Sequence, residues 1–571
     1  MSFRKSRLIT GVVVTSAILP LTCANAQSVA PTRDELTRNP PAPAPQSSLN
    51  VVGDVERSPC PLADPQYAEI RVKVTDVQFN NLKGATADEL RPTWAEYAGT
   101  DQPVSIICEI RDRAATYLRD KGYLAAVQVP TQRIEGGVVR LEVLYARVTA
   151  IRARGQTGGA EAKLAGYLTR LTEDEIFNRY TAERYLLLAR DLPGYNVQLT
   201  LKPAGTGPGE LVGEVTVIRQ PYSVDLMVQN LAAKATGRWG GQLRGQAYGL
   251  TGLGDASYAA IYSTLDFKEQ QILQLGHSFR PGNEGLLVNG QFTYAWTKPD
   301  IDKQQSSDPD LKARTLFATL GLAYPLIRSQ QRNLTLGGGF DWVDQKVDFF
   351  GPLTRDHLRI AWLRADYDAV DLTSRRPAWR VAGTVELRKG LDILGASERC
   401  CDPEDTPTSR ADGKPTGTLI RANGTAEFAL GSKLAVAVSP RGQLSFDPLL
   451  SFEEFTAGNY TVGRGYDPAI ISGDSGLGVA VELRGPRLPF HRNRIAVQPY
   501  AFGDAAWVWN KKFDDENNHV KSVGGGIRAA LADRMALDAA VAVPLEKAGI
   551  ENKRGDVRFL MTLTTRLLPW R

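Results

Sequence analysis

From Tyr222 to the C-terminus the chain repeats one pattern: runs of about ten residues, the length of a membrane barrel strand, in which apolar and polar side chains alternate. Leu286, Val288, Gly290, Phe292, Tyr294 and Trp296 alternate with Asn289, Gln291, Thr293 and Thr297. Leu334, Leu336, Gly338, Phe340 and Trp342 alternate with Asn333, Thr335, Gly337 and Asp341. Trp379 to Arg388, Ile420 to Phe428 and Arg558 to Leu567 repeat the scheme with Arg and Glu on the polar side. Successive strand side chains point to opposite faces, so each run is a strand with one apolar and one polar face. A soluble β-sandwich would hide the apolar face inside; a membrane barrel turns it to lipid and keeps a wet lumen. The charged alternate positions suit the lumen, and Trp296, Trp342 and Trp379 are placed at strand ends, as an interfacial girdle would be. Residues 221–571, roughly 350 of them at about 20 to 24 per strand and turn, predict an antiparallel transmembrane β-barrel of about 16 strands.

The segment before it is organised differently. Met1 to Ala26 has a positive start (Arg4, Lys5, Arg7), an apolar core (Leu8 to Leu21) and a small-x-small site, Ala24-Asn25-Ala26: a secretory signal peptide. Beyond it no apolar run is long enough for a membrane helix. Residues 27–60 form a Pro-rich linker. Within it Thr32 can cap a turn or two of helix to Arg38; a plain tether is the alternative reading.

Two similar α+β units follow, 61–146 and 147–220. In the first, Glu69 to Phe79 reads as a strand. Ser105 is placed to cap a helix with Ile106, Ile107, Ile110, Ala114, Tyr117 and Leu118 on one face, and Gly122 ends it. Leu124 to Pro130 reads as a strand, Gly136-Gly137 as a hairpin turn, and Val139, Leu141, Val143 and Tyr145 as the buried side of the returning strand. The second unit offers Val148 to Arg154, a helix with Ala182, Tyr185, Leu186, Ala189 and Leu192, then strands around Asn196 to Leu201 and Leu211 to Ile218. Asp191 to Tyr195 echoes Asp120 to Tyr123 at the same place in the repeat.

Phe455 to Pro486 is too rich in glycine for a plain strand. Arg464 sits between Gly463 and Gly465 and is followed by Tyr466. An Arg leaving bulk water needs a carboxylate, and Asp504 in Phe502-Gly503-Asp504 is the candidate partner. Together these residues resemble the inward-folded loop (near 455–478) and the facing barrel-wall motif of two-partner secretion transporters, of the haemolysin secretion/activation type. The α+β units resemble POTRA domains, through Gly122-Tyr123, Pro130-Thr131-Gln132 and Gly136-Gly137. Gln229-Asn230, Thr236-Gly237-Arg238 and Gly252 to Asp255 resemble the start of that family's barrel. Two positions depart: Ala506 stands where the family has glycine, and the chain ends on Leu568 to Arg571 rather than on a closing aromatic.

The resemblance implies two periplasmic POTRA domains before a Gram-negative outer-membrane barrel. It implies a pore, not an enzyme, that recognises an unfolded exoprotein through its POTRA repeats and conducts it outward. In relatives a short N-terminal helix can plug that pore. The expected partners are the secreted exoprotein, outer-membrane lipid and the machinery that inserts the barrel. Alternatives are a barrel assembly factor of the same superfamily, or a general porin, which needs neither POTRA units nor the Arg464 loop.

The remaining features point away from chemistry. The net charge of +5 over 571 residues gives no basic footprint for nucleic acid. Cys60 and Cys108 are expected to form a disulfide; the adjacent Cys400 and Cys401 lie in a polar loop, Leu391 to Thr416. No Cys-x-x-Cys and no clustered histidine suggests a metal site, and no cofactor is expected. Gly473-Asp474-Ser475-Gly476 looks like a protease nucleophile segment, but no histidine has the matching context.

Overall fold

The computed structural model describes residues 30–37, 50–51, 59–156, 158–300, 310–373, 377–398, 406–490, 494–512, 518–532, 534–549 and 553–569. The signal segment, the proline cluster of the linker, and Cys400 and Cys401 lie outside the described residues.

In the first unit Val138–Tyr145 is the central strand, parallel to Asp76–Asn80 and antiparallel to Ala125–Gln128. Its inward residues Val139, Leu141 and Val143 are fully buried against Ile107, Ile110, Ala114 and Leu118 of helix Ile106–Asp120. The helix ends as its sequence dictates. Gly122 takes a φ of +91°, its N–H donates to the Arg119 carbonyl, and the Tyr123 N–H donates to that of Leu118. Two expectations are corrected here. Ser105 occupies the cap position, but its hydroxyl makes no capping bond, because its backbone is already helical. Gly136-Gly137 does form the turn, with φ of +63° and +80° and the Val138 N–H donating to the Glu135 carbonyl, but the strand leading to it is shorter than expected. Strand Ala125–Gln128 stops before Pro130, which has no N–H to give, and the Gln132 side chain makes both hydrogen bonds to the Arg140 backbone at 2.7 Å instead.

In the second unit the sheet order is Asn50–Val51, Tyr195–Pro203, Glu210–Arg219, Arg147–Gly155. Helices Glu161–Glu173 and Arg179–Arg190 cover it, the first of them not singled out in the sequence. The echo between the units has a backbone basis: Gly194, like Gly122, turns the chain out of a helix with positive φ, +76°.

From Tyr222 the chain builds a closed, all-antiparallel barrel of 16 strands, from Tyr222–Gln229 to Arg558–Leu568. A short ribbon, Leu488–Phe490, pairs beside the start of Ile495–Trp509. The first and last strands close the ring in register from Gln229↔Thr562 to Asp225↔Arg566. Asn230 extends that seam, its side chain bonding the Phe559 carbonyl (2.9 Å) and the Met561 N–H (2.7 Å). The alternation resolves into a lipid face and a lumen: Leu320, Leu363, Val385, Phe428 and Phe559 are exposed, whereas Asp341, Glu386, Arg388 and Arg558 are buried. Trp296 and Trp379 lie at strand ends as expected; Trp342 lies in the middle of Arg332–Phe349, because this strand runs well past the apolar band.

The second unit packs on the turns at one end of the barrel. Arg328 forms a two-pronged pair with Asp191 (2.8 and 2.7 Å), and Glu183 accepts the Gln330 N–H at 2.6 Å. Leu188 lies so close to Gly285 that a Cβ there would be 2.5 Å away. Lys163 reaches the Gly282 carbonyl. Burial, and then the nearby Arg280, push its ammonium pKa down. The long loops emerge at the opposite end.

Candidate functional site

After strand Leu434–Ser445 the chain does not turn straight into its neighbour. Residues 446–474 first fold back into the lumen, and only then does Ser475–Arg484 resume the wall. Phe455–Ala457 pairs with Ile471–Gly473 as a small ribbon. The turn between needs Gly458 and Gly463, at φ +142° and +115°, a region that side chains with a Cβ disfavour.

Arg464 is at the tip. Its backbone N–H donates to Asp504 Oδ2 at 2.9 Å, its Nε to the same oxygen at 3.0 Å and its Nη2 to Oδ1 at 2.7 Å. Nη1 reaches Glu482 Oε1 at 2.7 Å, and the guanidinium lies 3.6 Å from the Phe502 ring centre. Glu482, Phe502 and Asp504 come from adjacent strands, Ser475–Arg484 and Ile495–Trp509, in a register that sets Glu482 opposite Phe502. Asp504 is almost wholly buried, so its charge depends on these donors. Gly465 follows because nothing larger fits: a Cβ would stand 2.9 Å from the Pro544 nitrogen and the Ser522 Cβ. Tyr466 then inserts, its hydroxyl donating towards the Lys521 and Glu546 carbonyls and accepting the Glu546 N–H.

The base of the loop is pinned separately. Asp474, with no exposed surface, accepts from the N–H groups of Leu449 (2.7 Å) and Lys511 (2.8 Å) and from Arg410 (2.6 Å). The segment that looked like a protease nucleophile is therefore a structural clasp, with the Ser475 hydroxyl accepting the Ser445 N–H.

The N-terminal helix Arg33–Leu36 also lies inside the barrel. Thr32 and Glu35 cap it reciprocally, as the sequence suggested for Thr32. Arg33 pairs with Glu386 at 3.2 Å; Asp34 accepts from Arg441 at 2.6 Å and from Thr456 of the inward loop at 3.0 Å. Leu36 is fully buried with Tyr262, Ile272 and Phe452, and its carbonyl accepts from Gln274. Beneath the helix Arg388 is enclosed by Asp341, Glu386 and Glu453, all within 2.8 Å. A cavity of about 250 Å3 remains beside the helix, lined in part by Arg33, Asp34, Arg364, Arg421, Arg441 and Phe455.

Thus the structure brings Arg464, Gly465, Tyr466, Phe502 and Asp504 together. Cys60 and Cys108 are bonded to each other, with Cα atoms 5.9 Å apart, in the first unit and away from the lumen. Ala506 faces inward, where its methyl joins Phe455 and Val462 in the apolar packing of the loop. The sequence reading did not single out Glu482 or Arg528, which donates to both Glu482 oxygens at 2.9 Å. Their signal was present in the alternation, since both occupy inward positions of otherwise apolar or glycine-rich strands.

A family model described as haemolysin secretion/activation protein ShlB/FhaC/HecB matches residues 215–529, and a ShlB-type POTRA model matches residues 72–145. The fold is similar to that of CdiB from Escherichia coli, with a TM-score of 0.73 at 17% identity over 90% of this chain and 94% of that one. It is also similar to CdiB from Acinetobacter baumannii, with a TM-score of 0.65 at 17% identity over 93% and 95%. No curated protein matches the sequence.

Proposed function

The chain belongs to the haemolysin secretion/activation protein family, a family of secretion pores rather than enzymes, and from that premise we propose how its parts act in moving an exoprotein across the outer membrane. The POTRA units stand in the periplasm, at the barrel end held by Asp191 and Arg328. The unfolded exoprotein adds to an unpaired strand edge there through backbone hydrogen bonds, which suit an extended client of any sequence. Ala125–Gln128 and Asp76–Asn80 are edges of the first sheet; in the second, Asn50–Val51 already lies on Tyr195–Pro203, leaving Arg147–Gly155. The client then passes through the barrel in extended form, and folding outside gives the movement its direction. The barrel's own partners are outer-membrane lipid and the machinery that inserts it.

The observation that carries this reading is a lumen occupied by two pieces that pair with no wall strand: the inward loop, joined to the wall only at its two ends, and the helix Arg33–Leu36, each held to the wall by ion pairs and side-chain packing. Arg464, with Gly465 and Tyr466, holds the inward loop to Asp504 and Phe502. Arg33 and Asp34 hold the helix as a plug. Thr37 is 13 residues from Asn50, where the chain joins the sheet of the second unit, a span that can reach about 45 Å when extended, so the helix can shift without moving either POTRA unit. The test is whether any large exoprotein encoded beside this chain reaches the medium, with and without the chain present. Its loss from the medium alone, with other outer-membrane barrels unchanged, is the expected result. A general loss of barrels on depletion would instead identify an assembly factor.

A further inference from the structure

One sector of the outer wall carries a row of cations. Strands Leu287–Thr297, Lys312–Arg328, Arg332–Phe349 and Gly351–Val370 are neighbours, and their register sets Trp296, Arg314, Lys346 and Arg355 side by side in one row. All four project outward: the residues on either side of each, such as Ala313 and Thr315 or Thr354 and Asp356, are buried. Arg314 and Arg355 are exposed and have no carboxylate partner among the described residues. Lys346 is half-buried and pairs with Asp348 at 3.2 Å. Asp344, a further outward carboxylate, is already taken by Arg359 (2.9 Å), His357 (2.7 Å) and the Trp342 indole (2.7 Å).

The position of the row matters as much as its charge. It lies towards the barrel end remote from the second POTRA unit. Leu316 is two residues nearer the membrane than Arg314, and the exposed Leu320, Leu322, Leu336 and Leu363 continue the same face into the apolar band. Elsewhere the exposed outer rim carries Trp239, Phe267, Phe446 and Trp509. Cations just beyond an acyl-facing surface, with no carboxylate partner among the described residues, meet the headgroup level of one leaflet, where each is worth about a fivefold gain in affinity for an anionic lipid.

We propose that Arg314, Lys346 and Arg355 bind the phosphorylated sugar headgroup of the outer-leaflet glycolipid, lipopolysaccharide, with the Trp296 ring flanking it and the acyl chains lying on the leucine face below. Arg and Lys supply the charge-assisted hydrogen bonds that phosphate oxygens accept. The proposal rests on the orientation given above, with the POTRA units in the periplasm.

The full chain, purified in detergent, is titrated with lipopolysaccharide, its dephosphorylated form, inorganic phosphate and phosphatidylglycerol vesicles. The expected result is preferential binding of lipopolysaccharide, weakened about 25-fold or more by joint Arg314→Ser, Lys346→Ser and Arg355→Ser substitution. Removing the phosphates should have a similar effect. The single Arg314→Ser and Arg355→Ser variants, each about fivefold weaker, keep the test valid if the triple variant fails to fold. Unchanged binding by the folded triple variant, or equal binding of the dephosphorylated form, would overturn the site. Equal binding of phosphatidylglycerol or free phosphate would overturn the assignment to the glycolipid. A Lys312→Cys variant, labelled in intact cells with an impermeant thiol reagent, separates the two premises. Absence of label would overturn the orientation and the proposal with it, whereas label together with unchanged lipid binding would overturn the site alone.

Discussion

Replacing Arg464 with alanine removes two side-chain hydrogen bonds from Asp504 and one from Glu482, and it leaves Glu482 with Arg528 and Arg484. Asp504 fares worse. Its side chain is 1% exposed, and its remaining donors are the backbone N–H of residue 464 and the Ser522 hydroxyl at 3.3 Å. Breaking a buried pair from one side costs about 3 to 5 kcal/mol, and water in the lumen places this case near 3. At about 1.4 kcal/mol per factor of ten, the docking equilibrium of the loop shifts by on the order of 100-fold. Hydrogen exchange across Phe455–Gly473 in the detergent-solubilised chain measures that opening directly, and exoprotein in the medium measures its consequence. The expected outcome is fast exchange confined to the loop, an intact barrel and abolished secretion. The double variant Arg464→Ala with Asp504→Ala should recover part of the loss, since no charge is then stranded. Unchanged exchange in Arg464→Ala, or a double variant no better than the single, would refute the argument that a buried carboxylate is what holds the loop to the cation.

Gly465→Leu should undock the same loop with both ion-pair partners intact, because the wall at Pro544 and Ser522 leaves no room; normal exchange protection in that variant would contradict the contact. Joint Arg33→Ala and Asp34→Ala substitution should raise single-channel conductance in planar bilayers by freeing the helix from Glu386 and Arg441, while a conductance equal to that of the parent would mean that packing around Leu36 holds it alone. Cys60→Ser opens a loop with a sequence separation of 48, worth about 4 kcal/mol by chain entropy, so the first POTRA unit should unfold at lower urea with the barrel midpoint unmoved.

The barrel was legible because a period of two, sustained over hundreds of residues, leaves few other folds; Val385 and Leu387 outside and Glu386 and Arg388 inside follow from parity alone. The loop was legible because a lone Arg among glycines asks for a carboxylate. What parity cannot give is the strand's length relative to the membrane, and so Trp342 was assigned to an end although Arg332–Phe349 continues beyond it. Nor does it reveal which inward charges meet, since Arg388 and Glu453 are brought together by the inward loop rather than by neighbouring strands. The N-terminal helix carried its cap in the sequence, but its seat depends on Glu386 and Arg441, some 350 and 400 residues away in the chain.

The pairing of Asn50–Val51 with Tyr195–Pro203 gives the plug a kinetic character. It fixes the chain to the sheet of the second unit 13 residues after Thr37, so the helix is held by a tether with one fixed end. A tether of 13 residues reaches at most about 45 Å and holds its free end at an effective concentration on the order of millimolar. The helix therefore competes with the client for the lumen as a resident ligand of constant concentration, whatever the amount of protein in the membrane. A client must outbid it during passage, and once the last of the client has gone, resealing is a first-order event that needs no encounter with a second molecule.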